Sequence, residues 1–421
     1  MKSVFNKEKG VGILFDDIYL VNGKRTGFGK YCGTLAGVSP TDLGIFVGRA
    51  ALEAAKITGG DIDQVITANI GQSSTDAYFL PRHISLFCGV PVGVPSLMVQ
   101  RICGSGLDTI VTASEQISLG KGNTVLCVGT ENMSLAPTVS FGNRMGYALG
   151  RVVFKDMLWE ALDDTAAGYP MGYTAENVAK EYNITRLEAD TFANLSFTRA
   201  VAATKANVFA GEITSLQNTV FEAAGLKPRK AFLPRTVSSF ATDEHIRPST
   251  MEGLTKLTAV FHVEGVLTAG NSSGIVDGAA SAVVANAHAV KEKSLKPLAR
   301  IVAGASSGVD PKLMGLGPVP AIRLLLEMAG LKIDDIGLVE INEAFSAQLV
   351  GCERALKLDR EKLNVNGGAI AIGHPLAATG LRISLSIAHE MKRRKVKYGI
   401  ASACIGGGQG TAILYENVEI G

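Results

Sequence analysis

The sequence predicts an α/β fold: a duplicated core with an inserted, loop-rich segment. Three observations carry that reading. Helical and strand patterns alternate, since Gly106 to Leu119 has helical periodicity and Thr124-Val-Leu-Cys-Val-Gly129, after Gly120, reads as a buried strand. The same succession returns near the C-terminus, where Gly373-His374 opens a helical stretch to about Arg394 and Tyr398 to Ala403 reads as a strand. Finally, Ala269-Gly-Asn-Ser-Ser-Gly-Ile-Val-Asp-Gly278 leads into Ala279 to Asn286 much as Cys404-Ile-Gly-Gly-Gly-Gln-Gly410 leads into Thr411 to Tyr415. Each pair is a glycine-rich turn feeding an apolar strand.

These patterns divide the chain into a first core half at 1–138 plus 258–293, an insertion at 139–257 and a second half at 294–421. The insertion has amphipathic helical stretches at Thr174 to Glu181 and Arg186 to Lys205, then a polar, proline-punctuated run to Pro248. Specificity commonly sits on loops held by a rigid scaffold, so ligand contacts are expected there. A length of 421 residues fits two or three domains of ~100–200 residues.

Composition narrows the function. Hydrophobic residues make up 47% and charged residues 19%, with no apolar run long enough to cross a bilayer, so no membrane role is expected. Met1 to Gly10 carries lysines but is not followed by a signal-type apolar segment, and Glu419-Ile420-Gly421 is not a peroxisomal tripeptide; a cytoplasmic location is the expectation. The six cysteines (32, 88, 103, 127, 352 and 404) show no paired CxxC spacing of a zinc or redox site, so reduced thiols are expected. Forty-one basic against 39 acidic residues, a formal charge of +2, give no argument for nucleic acid, and any phosphate site must be local.

Four positions have the chemistry of a reaction centre. Cys103, in Val99-Gln-Arg-Ile-Cys-Gly-Ser-Gly106, precedes a helical pattern, where free N–H groups and the helix dipole would favour a thiolate and the following glycines would allow unusual φ angles and close approach of a substrate. A buried, inert cysteine is the alternative. His374 stands between Gly373 and Pro375 in Val365-Asn-Gly-Gly-Ala-Ile-Ala-Ile-Gly-His-Pro375, which presents an imidazole at a turn, as a base or as a hydrogen-bonded structural group. Cys404 opens a glycine run that suits backbone N–H groups converging on an oxyanion, or simply a tight turn. Asn342, in Val339-Glu-Ile-Asn-Glu-Ala-Phe345, follows a short apolar strand and is either a polar positioning group or a turn residue.

Taken together these motifs are specific. The sequence resembles the thiolase family, the acetyl-CoA acetyltransferases and 3-ketoacyl-CoA thiolases, from about Val21-Asn-Gly-Lys-Arg-Thr26 to Tyr415. The resembling segments include Cys103-Gly-Ser-Gly-Leu107, Met171-Gly-Tyr-Thr-Ala-Glu-Asn-Val178, Thr268-Ala-Gly-Asn-Ser-Ser-Gly274 and Met314-Gly-Leu-Gly-Pro-Val-Pro-Ala321, together with Asn342-Glu-Ala-Phe345, Gly373-His-Pro375 and Cys404 to Gly410. The resemblance implies a five-layered αβαβα fold, a homodimer or homotetramer, and an acyltransferase of fatty acid metabolism and β-oxidation that forms or thiolytically cleaves 3-oxoacyl-CoA. Cys103 would accept the acyl group, His374 would activate it, and Cys404 would move the α-carbon proton. One oxyanion site would use His374 with a water held by Asn342, the other the backbone N–H groups of Cys103 and Gly406.

The resemblance implies no metal and no cofactor, coenzyme A and acyl-CoA being substrates. It matches Leu162, Met171, Phe261, Ala269, Ser273, Ala344 and Phe345 to the pantetheine and acyl tunnel. For the 3′-phosphate and pyrophosphate the candidates are Lys227, Arg229, Lys230 and Arg247. Three positions depart from the family pattern: Pro170 where short-chain enzymes often have histidine, Leu376-Ala377 where a glycine is usual, and Asp108 where a longer polar side chain is common. A decarboxylating condensing enzyme is disfavoured by Cys404. A catalytically silent acyl-binding scaffold is the alternative from another class.

Overall fold

The computed structural model describes residues 2–147 and 149–420. Met1 and Gly421, which belong to the terminal stretches read for targeting signals, lie outside the described residues. The first half runs β1 (Gly10–Arg25), α1 (Pro40–Ala55), β2 (Gln64–Ala68), α2 (Leu80–Phe87), β3 (Ser96–Met98), α3 (Ser105–Ser118) and β4 (Thr124–Glu131). An excursion carries α4 (Met171–Glu181) and α5 (Arg186–Lys205), and β5 (Val276–Asn286) closes this half. The second half follows as β6 (Ala299–Gly308), α6 (Pro318–Ala329), β7 (Leu338–Ile341), α7 (Ser346–Leu356), α8 (Leu376–Arg394), β8 (Tyr398–Ile405) and β9 (Gln409–Glu416).

Strand order exposes the duplication. The path is β7-β8-β9-β6-β1-β5-β4-β2-β3. Read outward from the β1/β6 junction, the first half gives β1-β5-β4-β2-β3 and the second β6-β9-β8-β7, with Leu363 bridging in parallel to Val339 where β3 stands in the first half. In both halves the inner strands pair antiparallel and the outer ones parallel. Helices follow the same rule. α1 and α2 cover one outer face, α6 packs on β9 and β6 on the other with α7 beside it, and α3 and α8 lie between. The result is the αβαβα layering.

The two inner helices touch backbone to backbone. A Cβ added at Gly380 of α8 would lie 2.1 Å from the Leu107 nitrogen, and one at Gly106 of α3 would lie 2.7 Å from the Ala377 oxygen. Only glycines permit that crossing. The excursion between β4 and β5 occupies the place that Gly406-Gly407-Gly408 fill between β8 and β9, so one half has a tight turn where the other has residues 132–275. Its helices are not peripheral: Val178, Phe192, Phe197 and Ala200 join the main core. α5 begins as its sequence dictates, with Thr185 and Glu188 forming a reciprocal capping box. Among the described residues no helix is long and apolar enough to cross a membrane.

Candidate active site

Cys103 sits in a single 3-10 turn, Ile102–Gly104, that leads into α3. Strain lies two residues earlier than the glycines suggest: Ile102 has φ +43°, whereas Gly104 has an ordinary φ of −82°. A β-branched residue in the left-handed region costs about 1–3 kcal/mol, which the surrounding packing must hold in place. The glycines instead allow approach, since a Cβ on Gly104 would meet Ile405 Cδ1 at 2.5 Å. The backbone N–H groups of Gly406 and of Cys103 itself act in favour of the thiolate. Burial outweighs them and pushes the thiol up to about 11, with the Glu131 carboxylate adding to the rise. The thiolate expected from the helix terminus is therefore not the resting form; the free protein holds a neutral thiol.

His374 lies in the gap between the short helix Ala369–Ile372 and α8, so Gly373 and Pro375 place it at a break, as their chemistry requires. Its Nδ1 is 2.6 Å from Thr379 Oγ1, and that hydroxyl donates to the Pro375 carbonyl at 3.2 Å. With its own proton committed, the hydroxyl accepts from Nδ1–H, which leaves Nε2 as the acceptor nitrogen of the ring. Asn342 Nδ2 stands 3.3 Å from that Nε2. Burial, reinforced by Arg382, lowers the imidazole to about 3, so it is an unprotonated acceptor at neutral pH.

Asn342 follows β7 directly, and its N–H donates to the Ser402 carbonyl at 2.9 Å, locking it against β8. Next to it, the buried Glu343 accepts from Ser196 Oγ at 2.6 Å and Asn364 Nδ2 at 2.8 Å, tying this end of the strand to α5. Cys404 lies within β8, opposite Gly410, fully buried. Burial raises its thiol well above the ordinary value, with Cys103 and Cys352 reinforcing the shift. The turn that follows holds positive φ at Gly407 and Gly408, both +82°, which leaves the Gly406 N–H free to aim at Cys103.

A cavity of about 180 Å³ ends at His374, and its wall includes Leu162, Met171, Phe261, Ser273 and Phe345. The Met171 N–H donates to the Leu162 carbonyl at 2.8 Å, and the Phe261 and Phe345 rings meet edge to face at 5.8 Å, so the apolar wall is self-supporting. Ala269 lies in an adjoining cavity of about 400 Å³ that shares Phe261 and Ser273. Ala344 is placed differently: it lines neither cavity, and its carbonyl instead receives the Ser273 N–H at 3.0 Å. Pro170 and Leu376, two of the departures from the family pattern, both face the smaller cavity. Asp108, the third, pairs with Arg101 at 2.9 Å and is pushed up to about 6 by burial.

Of the four basic candidates for phosphate, Arg229 is corrected. Its guanidinium bridges Asp42 and Asp76, each at 2.7 Å, and so clamps the excursion to the first half instead of facing a ligand. Lys227 and Lys230 are exposed. Arg247 is exposed too, lies over the Phe197 ring at 4.8 Å, and contacts His245, which lines the larger cavity. Sequence reasoning missed Ile102, Thr379 and Glu131. Only Thr379 had a visible signal, a hydroxyl one helical turn beyond the Pro375 that begins α8.

A free, partly buried thiol at the turn that opens one inner helix, and a buried histidine at the matching place before the other, fit a cysteine-dependent acyl-transfer enzyme. The chain belongs to the thiolase family: the profile of the thiolase N-terminal domain matches residues 18–288 and that of the C-terminal domain residues 295–417. It is an acyltransferase of the 3-ketoacyl-CoA thiolase or acetyl-CoA acetyltransferase type, acting on CoA thioesters. It is 44% identical to the mitochondrial 3-ketoacyl-CoA thiolase of Bos taurus over 409 residues, covering 96% of this chain and 99% of that one. It is 42% identical to an acetyl-CoA acetyltransferase of Cupriavidus necator over 407 residues, 95% and 99% of the two chains. The crystal structure of human mitochondrial 3-ketoacyl-CoA thiolase in complex with CoA superposes with a TM-score of 0.91 at 43% identity, covering 96% of this chain and 99% of that one. The expected cytoplasmic location is overturned, because relatives of this similarity from Bos taurus, Pongo abelii and Homo sapiens are mitochondrial enzymes.

Proposed function

We propose that the chain cleaves or forms 3-oxoacyl-CoA in two half-reactions, with Cys103 carrying the acyl group between them. The observation that carries this reading is the buried His374, fixed by Thr379 Oγ1 at 2.6 Å and by Asn342 Nδ2 at 3.3 Å, while the Gly406 and Cys103 N–H groups favour negative charge at the nucleophile. His374 takes the thiol proton on its Nε2 lone pair, giving up the long contact from Asn342 Nδ2, as the sulfur attacks. Cys404, whose buried thiol is coupled to Cys103, exchanges the proton at the α-carbon. The enolate oxygen that results is held by His374 and by a water on Asn342, whose Oδ1 is buried and has no hydrogen-bond partner among the described residues.

Coenzyme A and acyl-CoA enter as substrates, and the reading invokes no metal or other cofactor. The pantetheine and acyl chain follow the two adjoining cavities, with Arg247, Lys227 and Lys230 left for the phosphates. Pro170 and Leu376 on the wall make the acyl pocket more apolar than a histidine would. The active assembly in this reading is a homodimer or homotetramer.

The test is CoA-dependent cleavage of 3-oxoacyl-CoAs of increasing chain length, followed by loss of their enolate absorbance, with Cys103→Ser as control. Cleavage that disappears in the variant supports the reading, and the chain-length profile defines the pocket. Folded protein that cleaves none of them would return the weight to a silent acyl-binding scaffold.

A further inference from the structure

We infer that Glu131 is a positioning residue for acyl transfer: its carboxylate staples the loop at residues 69–71 to the N-terminus of α8 and thereby fixes where His374 stands. This inference rests on Cys103 being the nucleophile and His374 its base.

Glu131 is the last residue of β4 and is fully buried. Four N–H donors converge on it. Oε1 accepts from Asn69 Nδ2 at 3.1 Å and the Gly71 nitrogen at 2.8 Å, and Oε2 accepts from the Ile70 nitrogen at 3.1 Å and the Ala377 nitrogen at 3.2 Å. A carboxylate has acceptor sites for all four, whereas a protonated acid or an amide would turn a donor toward at least one of them.

The Ala377 contact is the important one. α8 starts at Leu376 with Pro375 as its N-cap, and that proline offers no side-chain acceptor for the free N–H groups of the first turn. Glu131 supplies the acceptor from the other half of the molecule, and its negative charge suits the positive end of the helix. The contact is reachable because β4 runs against this turn: a Cβ on Gly129 would lie 2.1 Å from the Ala377 oxygen. His374 is separated from the held turn by Pro375 and Leu376 alone.

The same charge reaches the nucleophile, because Glu131 raises the Cys103 thiol. Burial pushes Glu131 up to about 7, with Asp277 of β5 adding to the rise and the donors from the loop and from α8 opposing it, so the carboxylate that accepts all four bonds is fully formed only above that pH. Glu131 thus both places the base and opposes premature loss of the Cys103 proton.

Glu131→Gln separates these effects from simple packing. The expected result is a kcat lower by about tenfold or more with KM within about twofold, because a base is misplaced while the cavity is untouched. Alkylation of Cys103 by iodoacetamide at a fixed, mildly alkaline pH, located by mass spectrometry, should become about threefold faster as the opposing charge is removed. A kcat within twofold of the parent, or alkylation no faster than in the parent, overturns the proposal. Should that variant fail to fold, Asn69→Ala removes one donor but keeps the charge: kcat should fall with alkylation not accelerated, and full kcat overturns the staple. The alkylation readout does not depend on thiolysis. Activity retained by Cys103→Ser would instead remove the nucleophile reading itself.

Discussion

Burial holds both the Cys103 thiol and the His374 imidazole neutral in the free protein, raising one and lowering the other. Cys103→Ser should fold with an unchanged melting temperature yet form no acyl-enzyme on mass spectrometry after exposure to acetyl-CoA, since a hydroxyl needs a stronger base than His374 provides. Cys404→Ala should still acquire the acyl group but lose overall turnover by ~10²–10⁴-fold, the usual worth of a positioned acid/base; loss of acylation with turnover kept would exchange the two roles. The imidazole also links stability to pH. Its ordinary value is 6.5 and its folded value about 3, so between them the unfolded chain binds the proton better. Its contribution is complete above pH 6.5 and is lost as pH falls toward about 3, at up to ~1.4 kcal/mol per pH unit. Urea unfolding of the parent and of His374→Asn across that window should show the parent losing stability faster. Cys103, His374, Cys404 and Asn342 were legible because glycine, proline or a strand end marks each of them. Ile102 was not, because nothing in an isoleucine announces a positive φ, and Glu131 was not, because its four donors come from two distant segments.

At the scale of elements, the crossing of α3 and α8 is a backbone-to-backbone contact that bears directly on the site. Each helix carries a reactive residue just before its first turn, Cys103 and His374, so their separation depends on this crossing. Gly380→Ala would set a Cβ against the Leu107 backbone nitrogen, and nothing flexible there can yield. The expected loss is ~3 kcal/mol, read as a lower urea midpoint together with lower kcat. Gly37→Ala, whose added Cβ meets nothing within 4 Å, is the control and should change stability by less than ~0.5 kcal/mol. Helix bounds were readable where local chemistry sets them: α5 runs Arg186–Lys205 as its capping box and periodicity require. The role of Arg229 was not readable, since a basic run looks the same whether it meets phosphate or, as here, Asp42 and Asp76.

Across the whole molecule, the site lies where two similar halves meet, one offering Cys103 just before its inner helix and the other His374 just before its own, with Asn342 from the end of β7 and Cys404 from β8. Native mass spectrometry should give two or four times the 44.1 kDa chain mass; a monomer that retains full activity would remove the proposed assembly. The sequence by itself determined the alternation of elements, the duplication, the family and the residues able to do the chemistry, because periodicity, glycine placement and motif spelling are local properties. Only the tertiary structure decided that Cys103 rests as a thiol, that Thr379 sets the imidazole tautomer, that Arg229 is a clamp and that Glu131 spans the halves. Protonation, tautomer and partnership depend on burial and on groups far apart in the chain, and these exist only once the two halves have closed on each other.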